Sequence, residues 1–201
     1  MEIIKLDPGQ INRAAEVLAV SFLDYPMFTF YFPDPQHRVR YLPWYFKNIL
    51  KTALHYGAVH TTPDVSGVIF VLPPGHTKIS MGEYIRSGFL LTPFVLGFRN
   101  YQRSMECEDF VGKTQIQLMG SRPHYYLWGL GVDPHYKAQG IGTALMQPLL
   151  AQVDAQHMPV YLETHDEKNV RYYQKFGFNL TYTTCISKYQ LPIWCMLREP
   201  A

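Results

Sequence analysis

The stretch from residue 125 to residue 156 limits the possible folds of this chain more than any other part of the sequence. Residues 125–132 form a nearly continuous apolar run, which is typical of a strand buried on both faces of a sheet. A short loop then leads to Gly140 and Gly142. Apolar residues follow at helical spacing, namely Ile141, Leu145, Leu149 and Val153. The pattern predicts a buried strand that turns directly into a helix, with Pro148 inside the helix expected to kink it or free a carbonyl.

The turn between that strand and helix is suited to hold an anion. The first N–H groups of a helix have no partner inside it, and the helix dipole adds partial positive charge there. Without Cβ atoms at Gly140 and Gly142, a phosphate can approach these groups closely, and Lys137 adds a cation. A pyrophosphate would fit, but a glycine-rich turn without a ligand explains this segment equally well. The three-glycine dinucleotide spacing and the P-loop Gly-Lys-Ser/Thr are both missing.

Patterns along the rest of the chain predict a mixed α/β sheet. Strands are expected at residues 2–6, 57–62, 67–72, 160–164, 178–184 and 193–197, and helices near 7–22, 36–55 and 166–176. Residues 80–120 are typical of two or three irregular helices, which we interpret as an insertion. At 201 residues the chain is predicted to be a single domain spanning 1–201.

Charge and composition exclude several classes of function. The formal net charge is only +2, so the broad basic face needed to bind nucleic acid is not expected. The three cysteines form no CxxC pair and the histidines lack HExxH spacing, so we expect neither a disulfide nor a metal site. The start lacks the apolar core of a signal peptide, and the longest apolar run, residues 84–98, is interrupted by Arg86 and Pro93. A cytoplasmic protein with no membrane partner is therefore expected.

A second group of candidate ligand-binding residues lies on a short predicted helix after the next strand. Asn169 and Tyr173 are four positions apart, so their side chains share one face of the helix. Phe176 lies near that face, and Gly177 is expected to end the helix. These residues favour a ligand at the glycine turn over an empty turn.

Three motifs together resemble the GNAT superfamily of acetyl-CoA-dependent N-acetyltransferases. They are Val132-Asp-Pro, Lys137-Ala-Gln-Gly-Ile-Gly142, and Asn169 with Tyr172-Tyr-Gln-Lys-Phe-Gly-Phe178. The resemblance is tight over residues 125–181 and looser elsewhere. Lys137 stands where the superfamily usually has Gln or Arg, which keeps a positive charge but not the planar fork of Arg; Ala138 stands at a site that is often Gly. Residues 161–164, residues 194–198 and Pro148 further resemble the puromycin N-acetyltransferase branch.

The resemblance implies a single GNAT-like α/β domain. Its central sheet would be mixed, mostly antiparallel and splayed between strands 4 and 5, with helices on both faces. Acetyl-CoA would be the cofactor and CoA the product, with the pantetheine arm paired like an added strand along the strand that ends at Val132. The residues implied in cofactor binding are Leu130, Gly131, Val132, Lys137, Ala138, Gln139, Gly140, Ile141, Gly142, Thr143, Asn169, Tyr173 and Phe176.

The same resemblance implies catalytic roles. Tyr173 would act as the general acid for the leaving thiolate, since a phenol with a pKa of about 10 keeps its proton at neutral pH. Tyr172 lies about 100° around the helix and is expected to pack. The backbone N–H of Val132 would stabilise the oxyanion. Glu163 is a candidate base acting through a water, with a purely structural acceptor as an equal alternative. His165 lies two positions on, on the same face of the strand, and is the other candidate base, although a surface or capping histidine is favoured.

The expected acceptor is the primary amine of a small molecule of aromatic or drug-like type, which attacks the thioester directly. An aromatic fraction of 15% favours flat apolar walls, and the candidate substrate-binding residues are Tyr25, Phe28, Tyr31 and Glu163. Core packing is the alternative for each aromatic. Two other hypotheses remain, a non-catalytic acyl-CoA-binding sensor on the same fold and a Rossmann-type protein with Glu163 as the ribose-binding acid. A monomer or homodimer is expected.

Overall fold

The structure is a computed structural model that describes residues 1–57 and 59–201. The strands in these residues are β1 Ile4–Lys5, β2 Val59–Thr61, β3 Gly67–Leu72, β4 Tyr125–Val132, β5 Val160–Thr164, β6 Asn179–Ile186 and β7 Leu191–Arg198. The α-helices are α1 Ile11–Ser21, α2 Pro26–Tyr31, α3 Pro35–His55, α4 Met81–Ser87, α5 Thr92–Leu96, α6 Phe98–Met119, α7 Ile141–Ala155 and α8 Glu167–Gln174.

Local sequence accounts for where several helices begin. The Asp34 carboxylate accepts the Gln36 N–H ahead of α3, and Asp166 accepts the Lys168 N–H ahead of α8. Ser80 and Glu83 form a reciprocal capping box at the start of α4. The aromatic segment after α1 contains only the short helix α2, as its flanking prolines predict.

The strands form one mixed sheet in the order β1-β2-β3-β4-β5-β7-β6. The β4–β5 pair is parallel and the other five pairs are antiparallel. The last two strands are interchanged, so β7 lies between β5 and β6. This topology, with helices on both faces, confirms the predicted fold class.

The β4 and β5 strands separate soon after they begin. Only Tyr125↔Val160 and Tyr126↔Tyr161 are paired, whereas β4 continues to Val132 and β5 to Thr164. A bulge at Trp128 shifts the register of β4 against β3 just where the separation starts. Because an extra residue bends and twists its strand, the bulge explains why β4 turns away from β5.

The two faces of the sheet carry separate apolar cores. Alternation along β5 places Tyr161 in one core with Leu18 and Phe46, and Leu162 in the other with Leu145. Helices α1, α2, α3 and α6 therefore cover one face and α7 and α8 the other. Residues 80–120 hold α4, α5 and α6, which pack on the first face. Among the described helices, none is both long and apolar enough to cross a bilayer.

Candidate active site

The gap between β4 and β5 leaves one edge of β4 without a neighbouring strand. The Asp133 N–H donates to the Ser66 carbonyl beside β3, so by alternation the backbone groups of Leu130 and Val132 point away from β3, into the gap. The Val132 N–H donates to the Ser21 hydroxyl at 3.2 Å. An extended ligand could therefore pair with Leu130 and Val132, but the proposed oxyanion donor is held by Ser21 and would have to exchange that bond.

The glycine turn lies at the mouth of this gap. Gly140 has a left-handed φ of 79°, and α7 begins directly after it. The first helical N–H to be satisfied is that of Ala144, which donates to the Gly140 carbonyl. A Cβ on Gly140 would meet no atom within 4 Å, and residues 134–140 are exposed. The N–H groups at the start of α7 are thus open to an anion, and the residues fit the diphosphate that the sequence predicts there.

Tyr172 reaches the same turn, which the sequence did not indicate. A Cβ on Gly142 would lie 2.7 Å from the Tyr172 hydroxyl oxygen, so only glycine leaves room for this ring. The hydroxyl is buried and has no hydrogen-bond partner among the described residues. Burial raises the pKa of Tyr172 to about 12. Its ring also packs 5.1 Å from that of Phe176, so Phe176 supports the turn through Tyr172.

A network of hydrogen bonds occupies the carboxyl end of β5. The Asn169 amide donates to the Thr164 hydroxyl at 3.1 Å, and the Tyr25 hydroxyl lies 3.0 Å from the same oxygen. Tyr25 also accepts the His165 N–H at 2.6 Å. Tyr25 and Asn169, which were predicted to bind acceptor and cofactor respectively, are therefore brought together here, at the open end of the gap.

His165 contradicts the prediction of a surface histidine. It is 4% exposed, and its Nδ1 lies 2.9 Å from the Pro192 carbonyl. Burial lowers the pKa of His165 to about 4, so the ring is neutral at physiological pH. This arrangement makes His165 a packed structural residue.

Tyr173 holds its proton firmly in this structure. Burial raises the pKa of its phenol well above the usual value, and the nearby Tyr25 and Tyr172 phenols raise it further. Its ring packs against Phe178 at 5.7 Å. No described group accepts a hydrogen bond from the Tyr173 hydroxyl, so the proton remains available for donation to a ligand.

Glu163 lies on the opposite face of the sheet from α7, because it alternates with Leu162. Its Oε1 accepts the Tyr126 hydroxyl, whereas its Oε2 is buried and has no described partner. Burial raises the pKa of Glu163 to about 8; the Tyr126 hydrogen bond opposes this rise and the nearby Glu108 charge adds to it. A carboxyl group with this pKa can exchange a proton near neutral pH.

A cavity of about 350 Å³ opens on the same face, between α6, β3 and β4. Tyr126 lines it and links it to Glu163 by one hydrogen bond. The aromatic rings in its wall are those of Tyr45, Tyr84, Phe89, Tyr126 and Trp128.

Two of the aromatic residues predicted to line an acceptor site lie in the core. Phe28 is 2% exposed and packs edge-on against Phe46, and Tyr31 is fully buried. Tyr31 nevertheless contacts a residue of the cavity wall, because its hydroxyl donates to Glu108 at 2.9 Å. The sequence alone allowed two roles for these rings, core packing or a wall of the acceptor site.

Sequence reasoning missed Ser21, Tyr126 and Glu108. Ser21 contacts Val132 from a helix 111 positions earlier, and Tyr126 lies 37 positions before Glu163. Glu108 lies in an irregular segment whose apolar pattern is weak. A carboxylate at helical spacing gave no local signal that it faces a cavity rather than solvent.

The structure contradicts the Rossmann-type alternative. That fold needs a parallel sheet with an acidic residue at a strand end near the glycine turn. Here one strand pair alone is parallel in the described sheet, and Glu163 lies on the face away from α7.

Comparison with known proteins agrees with this geometry. The model of the Acetyltransferase (GNAT) family matches residues 90–178, which include β4, the glycine turn and α8. A solved structure described as a histone acetyltransferase HPA2 and related acetyltransferase from Corynebacterium glutamicum superposes with a TM-score of 0.71 at 17% identity, covering 99% of this chain and 96% of that one. The fold is that of the GNAT acetyltransferases.

Two further proteins extend the comparison. An uncharacterised N-acetyltransferase of Schizosaccharomyces pombe is 22% identical over 203 residues, covering 98% of this chain and 82% of that protein. The arylalkylamine N-acetyltransferase 2 of Aedes aegypti superposes with a TM-score of 0.67 at 12% identity, covering 100% and 99% of the two chains. Together the matches show that this chain has the GNAT fold and that its residues 90–178 are similar to the Acetyltransferase (GNAT) family.

Proposed function

We propose that this protein is an N-acetyltransferase that transfers the acetyl group of acetyl-CoA to the primary amine of a small molecule by direct attack. The observation that carries the proposal is the gap between β4 and β5, with the open N–H groups of α7 at its mouth. A backbone edge and a helix start are the two features needed to hold an extended arm that ends in a diphosphate.

The residues present fit the cofactor. The diphosphate would contact the N–H groups of residues 137–143, with Lys137 adding charge, and the pantetheine arm would pair with Leu130 and Val132. Gly131 keeps the strand close to α1, since a Cβ there would lie 2.8 Å from Leu18. Asn169 would exchange its bond with Thr164 for one with the arm.

The chain's own groups supply the proton chemistry. When bound, acetyl-CoA provides the acetyl group as a thioester. Tyr173 keeps its proton because burial raises its pKa, and it would donate that proton to the departing thiolate. In its ionised form, which a pKa of about 8 makes available as the pH approaches 8, Glu163 would accept the amine's proton through the Tyr126 hydroxyl that donates to it. Val132 N–H would leave Ser21 and donate to the oxyanion.

The cavity lined by aromatic rings supports a small, apolar or aromatic acceptor. The Aedes aegypti relative is by its name an arylalkylamine N-acetyltransferase, which agrees with this substrate class. Membership of the puromycin N-acetyltransferase branch belongs to the proposal as well. Two of its motif pieces lie side by side, since Tyr161 pairs with Leu197 and Thr164 with Trp194.

We also propose that the protein is cytoplasmic. All three cysteines are free thiols and two are buried, which supports a reducing compartment such as the cytoplasm. We propose a monomer or a homodimer.

The test measures thiol release from acetyl-CoA with a panel of small amines, for the wild type, Tyr173→Phe and Tyr182→Phe. Loss of the general acid is expected to lower kcat by roughly a hundredfold or more, with little change in the midpoint of acetyl-CoA binding. Tyr182→Phe removes an equally small group from the exposed strand β6 and should leave turnover unchanged. Unchanged turnover in Tyr173→Phe would reject its role.

The same assay, combined with thermal stability measurements, distinguishes the acetyltransferase from the alternative of a non-catalytic acyl-CoA-binding sensor. Thermal stabilisation by acetyl-CoA without turnover of any amine would favour the sensor. Stabilisation by a dinucleotide such as NAD and not by acetyl-CoA would reject both.

A further inference from the structure

The cavity beside β4 is lined by two carboxylates, Glu108 and Asp109, and the proposed reaction uses neither. Glu108, on α6, lines the cavity together with Tyr45. It is exposed to the cavity, even though the tyrosines around it are buried. A carboxylate in a largely apolar pocket is a specificity feature, since a charged group fixes the orientation of a ligand held by apolar walls.

The hydrogen bonds of Glu108 are one-sided. The Tyr31 and Tyr45 hydroxyls both donate to its Oε1, at 2.9 and 3.3 Å. Neither contacts Oε2, which accepts no hydrogen bond from any described residue. Two buried hydroxyls therefore fix the carboxylate through one oxygen and leave the other without a described partner.

The other charged groups of the wall do not neutralise Glu108. Asp109 is paired with Lys113 at 2.6 Å. Lys78 is exposed on the loop before α4, and neither it nor any other described cation lies within 4 Å of the Glu108 carboxylate. The position opposite Oε2 is thus suited to a positive charge brought by a ligand.

We propose that Glu108 binds a second cationic group of the acceptor, so that the preferred substrates are small diamines, or amines that carry another positive charge, rather than simple monoamines. This proposal rests on the proposed function, because it assigns the cavity to the acceptor. One amine of the substrate reaches the gap beside Tyr126 while the other pairs with Glu108.

The walls between the two ends suit such a molecule. Tyr126 and Trp128 lie on β4, at the bulge where the gap begins, and Tyr84 and Phe89 enclose the pocket from the α4 side. The faces of aromatic rings can pack against an apolar spacer and also attract an ammonium group. The rings contact the spacer of the acceptor along its length, and the carboxylate binds the charged group at its far end.

The experiment compares linear alkyl diamines of increasing length with alkyl monoamines of matched length, for the wild type, Glu108→Gln and Glu106→Gln. The amide introduced by Glu108→Gln keeps an oxygen for the two tyrosine hydroxyls and removes the negative charge. Glu106 is two positions away on α6, contacts Lys188 and Tyr189 instead, and does not line the cavity. It controls for the loss of one negative charge from the same helix.

The expected result is a wild-type kcat/KM at least about tenfold higher for diamines than for matched monoamines, since a hydrogen bond to a charged group is strong. Glu108→Gln should lose this preference, because its KM rises far more for diamines than for monoamines. Glu106→Gln should keep the preference. Equal use of both amine classes by the wild type, or a parallel loss for both in Glu108→Gln, would overturn the proposal.

A binding measurement separates this proposal from the proposed function. Calorimetric titration with a diamine, with CoA present, requires no turnover. Binding that is lost in Glu108→Gln supports the cation site even if no amine is acetylated. Acetylation of monoamines without any dependence on Glu108 supports the acetyltransferase and rejects the cation site.

Discussion

Ala138 has a backbone conformation that residues with a Cβ seldom adopt. Its φ is 65°, in the left-handed region, and Gly140 two positions later has a φ of 79°. A Cβ in this conformation costs roughly 1–2 kcal/mol because it crowds the following carbonyl. The turn tolerates this cost because it must reverse the chain between β4 and α7 while keeping the N–H groups of α7 outward. The same strain explains why the GNAT superfamily, which the sequence resembles, often has a glycine at this site.

We expect Ala138→Gly to raise the free energy of unfolding by up to about 1 kcal/mol, because the relief of strain exceeds the added freedom of the unfolded chain. Urea denaturation measures the change. The same substitution at Ala151, on the exposed side of α7, should instead cost about 1 kcal/mol, since Gly is a poor helix former. Equal losses at both positions would contradict the strain at Ala138.

At the scale of the element, β4 shows what the sequence can and cannot predict. Its bounds and those of β5 were predicted because buried strands leave continuous apolar runs. The bulge at Trp128, and with it the gap, was not visible in the residues of β4. It depends on β3, because Phe70 fills the space over Gly129. The gap was expected only from the resemblance to a family, and Glu108 was missed because its tyrosine partners lie 63 and 77 positions away.

Gly129 is expected to be essential for the packing of β4 on β3. A Cβ there would lie 2.2 Å from the Phe70 ring, which is 2% exposed and has no room to move away. Gly129→Ala should therefore destabilise the protein by about 1–3 kcal/mol, the usual cost of overpacking. Chemical denaturation gives the value.

Gly112 is the matched control for this substitution. It lies inside α6 with open space where a Cβ would be, so Gly112→Ala should stabilise by about 0.5–1 kcal/mol. If both alanine variants shift stability in the same direction, the contact between Gly129 and Phe70 does not limit the packing.

At the scale of the molecule, two carboxyl groups from distant parts of the chain meet on one face of the sheet. Glu108 comes from α6 and Glu163 from β5, and the loss of contact with bulk water raises the pKa of both. Tyrosine hydroxyls from α2, α3 and β4 hold them. Folding therefore changes the protonation of these groups, and the stability of the whole protein must depend on pH through them.

The dependence through Glu163 has a definite sign. Its pKa is about 8 in the folded protein and about 4.3 in an unfolded chain, so the folded state holds the proton more tightly. The stabilisation is fully present below pH of about 4 and is lost as the pH rises to about 8, with a slope of at most about 1.4 kcal/mol per pH unit.

We expect the stability of the wild type, relative to Glu163→Gln, to fall steadily between pH 5 and pH 8 (about the range that denaturation can cover). Subtraction cancels the titrating groups that do not interact with Glu163. In Glu106→Gln the curve should run parallel to the wild type over the same range, because the Tyr189 hydrogen bond and the ion pair with Lys188 hold the pKa of Glu106 below its usual value. A Glu163→Gln curve that is also parallel to the wild type would show that Glu163 is ionised in the folded protein at neutral pH, and that burial does not hold its proton as argued above.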